Sequence, residues 1–194
     1  MTTAARPAAY REMLTRGAAE RFAASSDVSR QFFDANADAI ARACHAMAER
    51  FQKGGRLFVC GDGAQRSDVA HVVVEFLHPV VVGKRALPAI PLPDMAGGAA
   101  QRALDTMARS GDLLMVLCGG AADDCTRELL AAAQADGLQT LALVGRCDES
   151  SSLAYHVFEV SSSDACIVQE THEMLYHVLW ELVHVFFDHR AVSA

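Results

Sequence analysis

Apolar residues recur along this chain first at helical intervals and then, from Gly54 onward, in short runs separated by helical stretches. In the opening part, Phe32, Phe33, Ala37, Ile40, Ala41, Cys44, Met47 and Phe51 fall three or four apart, the stripe of an amphipathic helix. Pro7 suits the first turn of a helix reaching about residue 24, and Ser25-Ser26-Asp27 offers caps for a second one reaching about residue 52. Residues 1–53 are therefore expected to form a helical pair that covers a surface elsewhere.

The rest of the chain predicts alternating strands and helices. Arg56-Leu-Phe-Val-Cys60, residues 86–92, Leu113-Leu-Met-Val-Leu-Cys118, Thr140-Leu-Ala-Leu-Val144 and Tyr155-His-Val-Phe-Glu-Val160 are short apolar runs expected as buried strands. Helical stretches lie between them at about 65–80, 98–109 and 123–136, and a last one covers about 165–188. This alternation predicts an α/β fold, a doubly wound, mostly parallel five-stranded sheet flanked by helices, in which ligands bind at the carboxyl ends of the strands. No internal repeat or low-complexity linker is present, and residues 1–194 are expected to form one domain, with 54–194 as its α/β core.

Composition narrows the functional classes. The hydrophobic content of 52% supports a full core, while the net charge of -7 lacks the positive footprint of a nucleic-acid or acidic-membrane binder. No apolar signal core or run long enough to span a bilayer occurs, and the six cysteines, Cys44, Cys60, Cys118, Cys125, Cys147 and Cys166, form no CxxC pair. A reduced, cytoplasmic setting is the expectation, with each cysteine a small buried hydrophobe.

Candidate chemistry gathers at two places. In Val69-Ala-His-Val-Val-Val-Glu-Phe-Leu77 the four-residue step puts His71 and Glu75 on one helix face, where they suit a cation or a proton transfer, or simply a surface pair and a core histidine. About a hundred residues later, Gln169 and His177 offer a second pair of such side chains. Two glycine-containing turns follow strands and open onto helices, Gly61-Asp-Gly-Ala-Gln-Arg-Ser-Asp68 and Cys118-Gly-Gly-Ala-Ala-Asp-Asp124, and backbone N–H groups there suit an anionic ligand. Asp62, Gln65, Arg66, Asp94, Gly119, Gly120 and Asp123 are the candidate substrate-binding residues. His172, His184 and His189, with Glu173 and Glu181, make the last helix histidine-rich, as a metal site or an amphipathic face would require. Nothing resembles the nucleophile elbow of a hydrolase.

Gly61-Asp-Gly-Ala-Gln65, Asp68, His71, Glu75, Pro88-Ala-Ile-Pro-Leu92, Gly111-Asp-Leu-Leu114 and Gln169-Glu-Thr-His172 with His177 resemble the sugar isomerase (SIS) domain family, and within it the phosphoheptose isomerases. The resemblance implies an aldose–ketose isomerisation of a sugar phosphate through an enediol. It further implies a zinc ion held by His71, Glu75, Gln169 and His177, with Glu75 as base and His177 as acid, in a tetramer with sites at subunit interfaces. Gln169 and His177 are eight residues apart, a rise of about 12 Å along regular helix. They share one ion only if both side chains reach inward or Gln169 lies at a frayed helix start; otherwise they come from different subunits.

The sequence departs from that family in its phosphate pocket. Gln65 stands where a serine is expected, and the serine-rich loop after the third strand is replaced by Cys118, Gly120 and Asp123. Asp123 is expected to cap its own helix. Losing two charge-assisted hydrogen bonds, each about 1.5–3 kcal/mol, weakens phosphate binding by roughly 150-fold or more. Arg66, Lys84 and Arg85 are possible compensating cations, and Asp164 a substitute for the family's acidic residue at the place of Cys166. The expectation is a cytoplasmic, homo-oligomeric zinc isomerase with an altered sugar or sugar-phosphate substrate. The alternatives are a non-catalytic SIS-domain assembly platform or a metal-handling accessory protein; the DnaA initiator-associating relative, such a platform, lacks counterparts of Glu75 and His177.

Overall fold

The computed structural model describes residues 5–79, 81–146 and 153–192. Five strands, β1 (Leu57–Gly61), β2 (Ala89–Pro91), β3 (Leu113–Leu117), β4 (Gln139–Val144) and β5 (His156–Glu159), form one parallel sheet in the order β2-β1-β3-β4-β5. The helices are α1 (Ala5–Gln52), α2 (Gln65–Leu77), α3 (Ala99–Met107), α4 (Asp124–Ala135) and α5 (Ala165–Val192). This is the doubly wound α/β architecture that the alternation predicts.

Period-2 alternation divides the apolar strands between two cores. Leu57 and Val59, Leu113, Met115 and Leu117, and Leu141 and Leu143 join one cluster with α1, α2 and α5. Phe58 and Cys60, Leu114 and Val116, and Ala142 and Val144 join the other with α3 and α4. Strands buried on both faces need apolar residues at every position, which is why these runs are continuous rather than alternating. β2 is shorter than the expected 86–92 because the Leu87 N–H turns to the Phe76 carbonyl at 2.8 Å, and Pro91, which lacks an N–H, lies in this edge strand.

The expected helical pair is instead one continuous helix of 48 residues. Ser25 and Asp27 do not cap: the Ser25 hydroxyl bonds Glu170, Ser29 meets Thr171 at 3.1 Å, and Asp27 pairs with Arg30 at 2.6 Å. Contact with α5 therefore takes up Ser25, while Asp27 turns to Arg30 within the same helix. The later half of α1 packs through Phe32, Ile40, Cys44, Met47 and Phe51, whereas residues 9–20 are exposed, including Tyr10, Met13 and Leu14. Among the described residues no helix is long and apolar enough to cross a membrane.

Two of the cysteines fit the buried expectation: burial pushes the Cys44 and Cys60 thiols up to about 12. Cys125 and Cys166 are exposed instead, because each lies in the first turn of its helix on the solvent side. Cys147 and Ser150-Ser-Ser152 lie outside the described residues. Ser162 has turn chemistry, its Oγ accepting from the Asp164 N–H at 3.1 Å.

His172 fastens α5 to the sheet. It is fully buried with Nε2 3.3 Å from the Val144 carbonyl oxygen, and loss of solvation holds its imidazole down at about 4. The unfolded chain takes up that proton near the ordinary value of 6.5, so the stabilisation is complete above 6.5 and is lost as pH falls toward 4. The expected size is about 3 kcal/mol. Urea unfolding of the wild type and His172→Asn at a series of pH values should show the stability difference narrowing by about that amount across the window. A difference independent of pH would contradict this role.

Candidate active site

The polar cluster forms where α2 packs on α5. Val69, Val72, Val73 and Phe76 of α2 are buried in the same apolar cluster as Val168, Leu175, Tyr176, Leu179 and Val183 of α5. At the border of that contact, residues four apart on each helix meet in pairs. Gln169 Nε2 donates to Asp68 Oδ1 at 3.2 Å and Ser67 Oγ at 3.5 Å. His71 Nδ1 lies 3.5 Å from Glu173 Oε1, and His177 Nδ1 lies 2.7 Å from Glu75 Oε1. Ser67 with Gln169, His71 with Glu173 and Glu75 with His177 share one offset of 102 residues. The two helices therefore run parallel here, and the pairs rise as rungs one turn apart.

His71, Glu75 and His177 each offer a ligand atom within 4.8 Å of the other two. Glu75 is only 15% exposed in its side chain, and its Oε2 is buried without a hydrogen-bond partner. Two imidazoles and a carboxylate with an unused oxygen form a donor set that fits zinc, and three protein ligands leave a position open for a substrate oxygen. Gln169 is placed two turns of α5 before His177, with its amide on Asp68 and Ser67.

Burial pushes the Asp68 carboxyl up, against the opposing effect of the Gln169 hydrogen bond, and its Oδ2 has no partner. The Tyr176 hydroxyl bonds His71 Nδ1 at 3.1 Å; burial first, and then the charges of Asp68, Glu173 and Glu75, raise its pKa and keep it protonated. Sequence reasoning missed Tyr176, for which no spacing signal exists. Glu173 was visible as the i,i+4 partner of His177, the mirror of His71 with Glu75.

The candidate substrate residues lie mostly in contacts within the protein. Asp62 Oδ1 accepts from the Met95 N–H at 2.9 Å, and Arg66 pairs with Asp94 at 2.9 Å on the surface. Gln65 is buried and packs on Gly119, where a Cβ would stand 2.7 Å from Gln65 Nε2 and displace the amide. The Gly120 carbonyl accepts from the Gly145 N–H at 2.9 Å, tying the loop after β3 to the one after β4. Asp123 caps α4 as expected, its Oδ1 accepting from the Thr126 N–H at 2.8 Å.

The remaining candidates have structural partners. Asp164 caps α5 through the Cys166 N–H at 2.9 Å. Lys84 pairs with Asp188 at 2.6 Å, and the Arg85 guanidinium lies over the Phe187 ring. His184 is buried between the Trp180 and Arg85 carbonyls, away from the cluster, and the His189 side chain lies outside the described residues.

Residues 21–145 match the SIS domain family. A phosphoheptose isomerase of Thermodesulfovibrio yellowstonii is 28% identical over 169 residues, covering 80% of this chain and 84% of that protein. One of Chlorobaculum parvum is 31% identical over 166 residues, covering 76% and 78%. The solved phosphoheptose isomerase of Neisseria gonorrhoeae shares the fold, with a TM-score of 0.73 at 18% identity over 88% of this chain and 98% of that one. The family match ends before α5, so it includes His71 and Glu75 and leaves out Glu173 and His177.

The Asp123 cap lends itself to a direct measurement. Its hydrogen bonds with Thr126 hold the carboxyl below the usual carboxylate value of 3.8. A depressed folded value means that the stabilisation is present above 3.8 and disappears as pH falls through the lowered value. Asp123→Ala should lower stability by about 1 kcal/mol at neutral pH, measured by urea unfolding, with the deficit vanishing in acid. No deficit at neutral pH would mean that the cap contributes nothing.

Proposed function

Because this chain belongs to the SIS domain family and is of its phosphoheptose isomerase type, we propose that it is an aldose–ketose isomerase acting through an enediol on a sugar or sugar phosphate. The observation that carries this reading is the meeting of His71, Glu75 and His177, with an unpartnered buried Glu75 oxygen among them. In the proposed reaction Glu75 removes the proton from the carbon beside the carbonyl and returns it to the neighbouring carbon. His177 gives a proton to the carbonyl oxygen and recovers one from the adjacent hydroxyl. Each group thus ends the turnover in its starting protonation state, and their direct contact of 2.7 Å sets base and acid side by side.

His71, Glu75 and His177 are the proposed zinc ligands, and Gln169 belongs to the site only through a neighbouring subunit or a different α5 start. Bound there, the ion would supply Lewis-acid stabilisation of charge on the substrate oxygens. Histidines and the carboxylate of this chain do the binding, orienting and proton movement. The second part of the proposal is an altered ligand. The loop from Gly119 to Asp123 offers no hydroxyl, Asp123 already satisfies an α4 N–H, and Gln65 fills the space against Gly119. A phosphate dianion there meets a carboxylate rather than donors.

A cytoplasmic homo-oligomer, with the tetramer of the family as its expected form, completes the reading. What supports the oligomer is the exposed apolar start of α1, with Tyr10, Met13, Leu14 and Phe22, continuing into a cleft of about 630 Å³ lined by Phe22, Met174, Glu173 and His177.

Metal analysis of protein purified without chelator should find one zinc per chain, lost in His71→Ala and His177→Ala. Glu75→Gln should lower turnover by at least 10²-fold with the melting temperature preserved. Zinc-free wild type would remove the metal from the proposal, and undiminished turnover in Glu75→Gln would end the mechanism. A thermal-shift series should show a non-phosphorylated sugar stabilising the protein at least as well as its phosphate. A clear preference for the phosphate would reject the altered ligand.

A further inference from the structure

The ring of His71 has two neighbours on α5 at the same nitrogen. Nδ1 lies 3.1 Å from the Tyr176 hydroxyl and 3.5 Å from the Glu173 carboxylate. The Tyr176 hydroxyl can donate to that nitrogen or accept from it, so alone it selects neither tautomer. A carboxylate offers only lone pairs, so Glu173 breaks the tie in favour of a proton on Nδ1. Both side chains sit on the helix face that carries His177, and Glu173 occupies the rung between the Gln169 and His177 rungs. Gln169 is bonded to Asp68 and Ser67, outside hydrogen-bonding contact with this ring.

We propose that Glu173 is a positioning residue of the active site, which holds the His71 proton on Nδ1 and so leaves the Nε2 lone pair for the site. In water a free imidazole carries its proton mainly on Nε2, the form that could not offer that atom as a ligand. Glu173 reverses this preference through electrostatic attraction to the Nδ1–H, and Tyr176 accepts from the same N–H while its own proton stays in place. The groups around His71 from both helices are Glu173, Tyr176, His177, Glu75 and Asp68. Of these, the two at Nδ1 come from α5 alone. The role in metal binding rests on the zinc reading above; the tautomer itself does not.

Nitrogen-15 NMR of metal-free protein reads the tautomer directly, at about pH 8.5, two units above the ordinary imidazole value. The His71 signals are identified by their loss in His71→Asn. The wild type should carry the proton on Nδ1. Glu173→Ala should move it toward Nε2, Glu173→Gln should lie between, and Tyr176→Phe and Gln169→Ala should leave it on Nδ1. Zinc affinity, measured by chelator competition, should fall about 10–100-fold in Glu173→Ala, as it does when a ligand loses its orienting partner. Glu173 is half exposed, and the Glu173→Gln variant preserves its shape if the alanine variant folds poorly. A proton on Nε2 in the wild type, or an unchanged tautomer in Glu173→Ala, would overturn the assignment. A wild type that binds no zinc while its tautomer follows Glu173 would sink the metal reading and support the positioning role.

Discussion

The register between α2 and α5 is the constraint on which the site depends. Both helices leave the carboxyl end of a strand and run parallel, so equal four-residue steps on each bring polar side chains together rung by rung. A slip of one residue would rotate one helix by about 100° and separate all three pairs. What resists the slip is apolar. Val69, Val72 and Phe76 share one apolar cluster with Val168, Leu175 and Leu179, and the Phe51 and Phe76 rings within it sit 6.0 Å apart. The chemistry lies at the edge of this packing, where a carboxylate oxygen can be shielded from water and still face a ligand.

That dependence explains what could and could not be read from the sequence. Buried strands announce themselves as continuous apolar runs, and the placement of His71 beside Glu75 follows from helical spacing alone. Both are local. The pairing of α2 with α5 is not, and without its register nothing chooses between Gln169 and Glu173 as the neighbour of His71. The misreading of α1 has the same origin. Ser25 and Asp27 carry a genuine local stop signal, and a non-local partner on α5 takes Ser25 while Arg30 takes Asp27. Tyr176 was invisible because a buried aromatic in an apolar helix stripe carries no local sign that its hydroxyl meets His71 across the contact. The Asp123 cap, by contrast, was legible, since capping is decided within four residues.

The two ends of the proposed ligand site have diverged in character. Near α5 the polar groups remain unsatisfied, with Glu75 Oε2 and Asp68 Oδ2 buried and without partners. Near β3 the turn is satisfied internally, with Asp123 on its own helix and Gln65 against Gly119. An unsatisfied buried carboxylate oxygen costs about 1–3 kcal/mol or more, a penalty that a bound cation or substrate proton would relieve. A satisfied turn has no such incentive to bind. In the proposed reading the first is the reactive end and the second the altered anchoring end.

Catalysis of this kind draws on binding to parts of the substrate that do not react, which holds the reacting carbons against the base. If the phosphate turn no longer supplies that hold, another surface must. The exposed start of α1 is the available one. A helical overhang of this length is marginal in water by itself, and its apolar residues Tyr10, Met13, Leu14 and Phe22 are left uncovered. Phe22 also lines the cleft that contains His177 and Glu173. In the proposed oligomer, a neighbouring chain that covers this overhang would also wall the cleft, so that substrate choice and assembly would be set by the same face of α1.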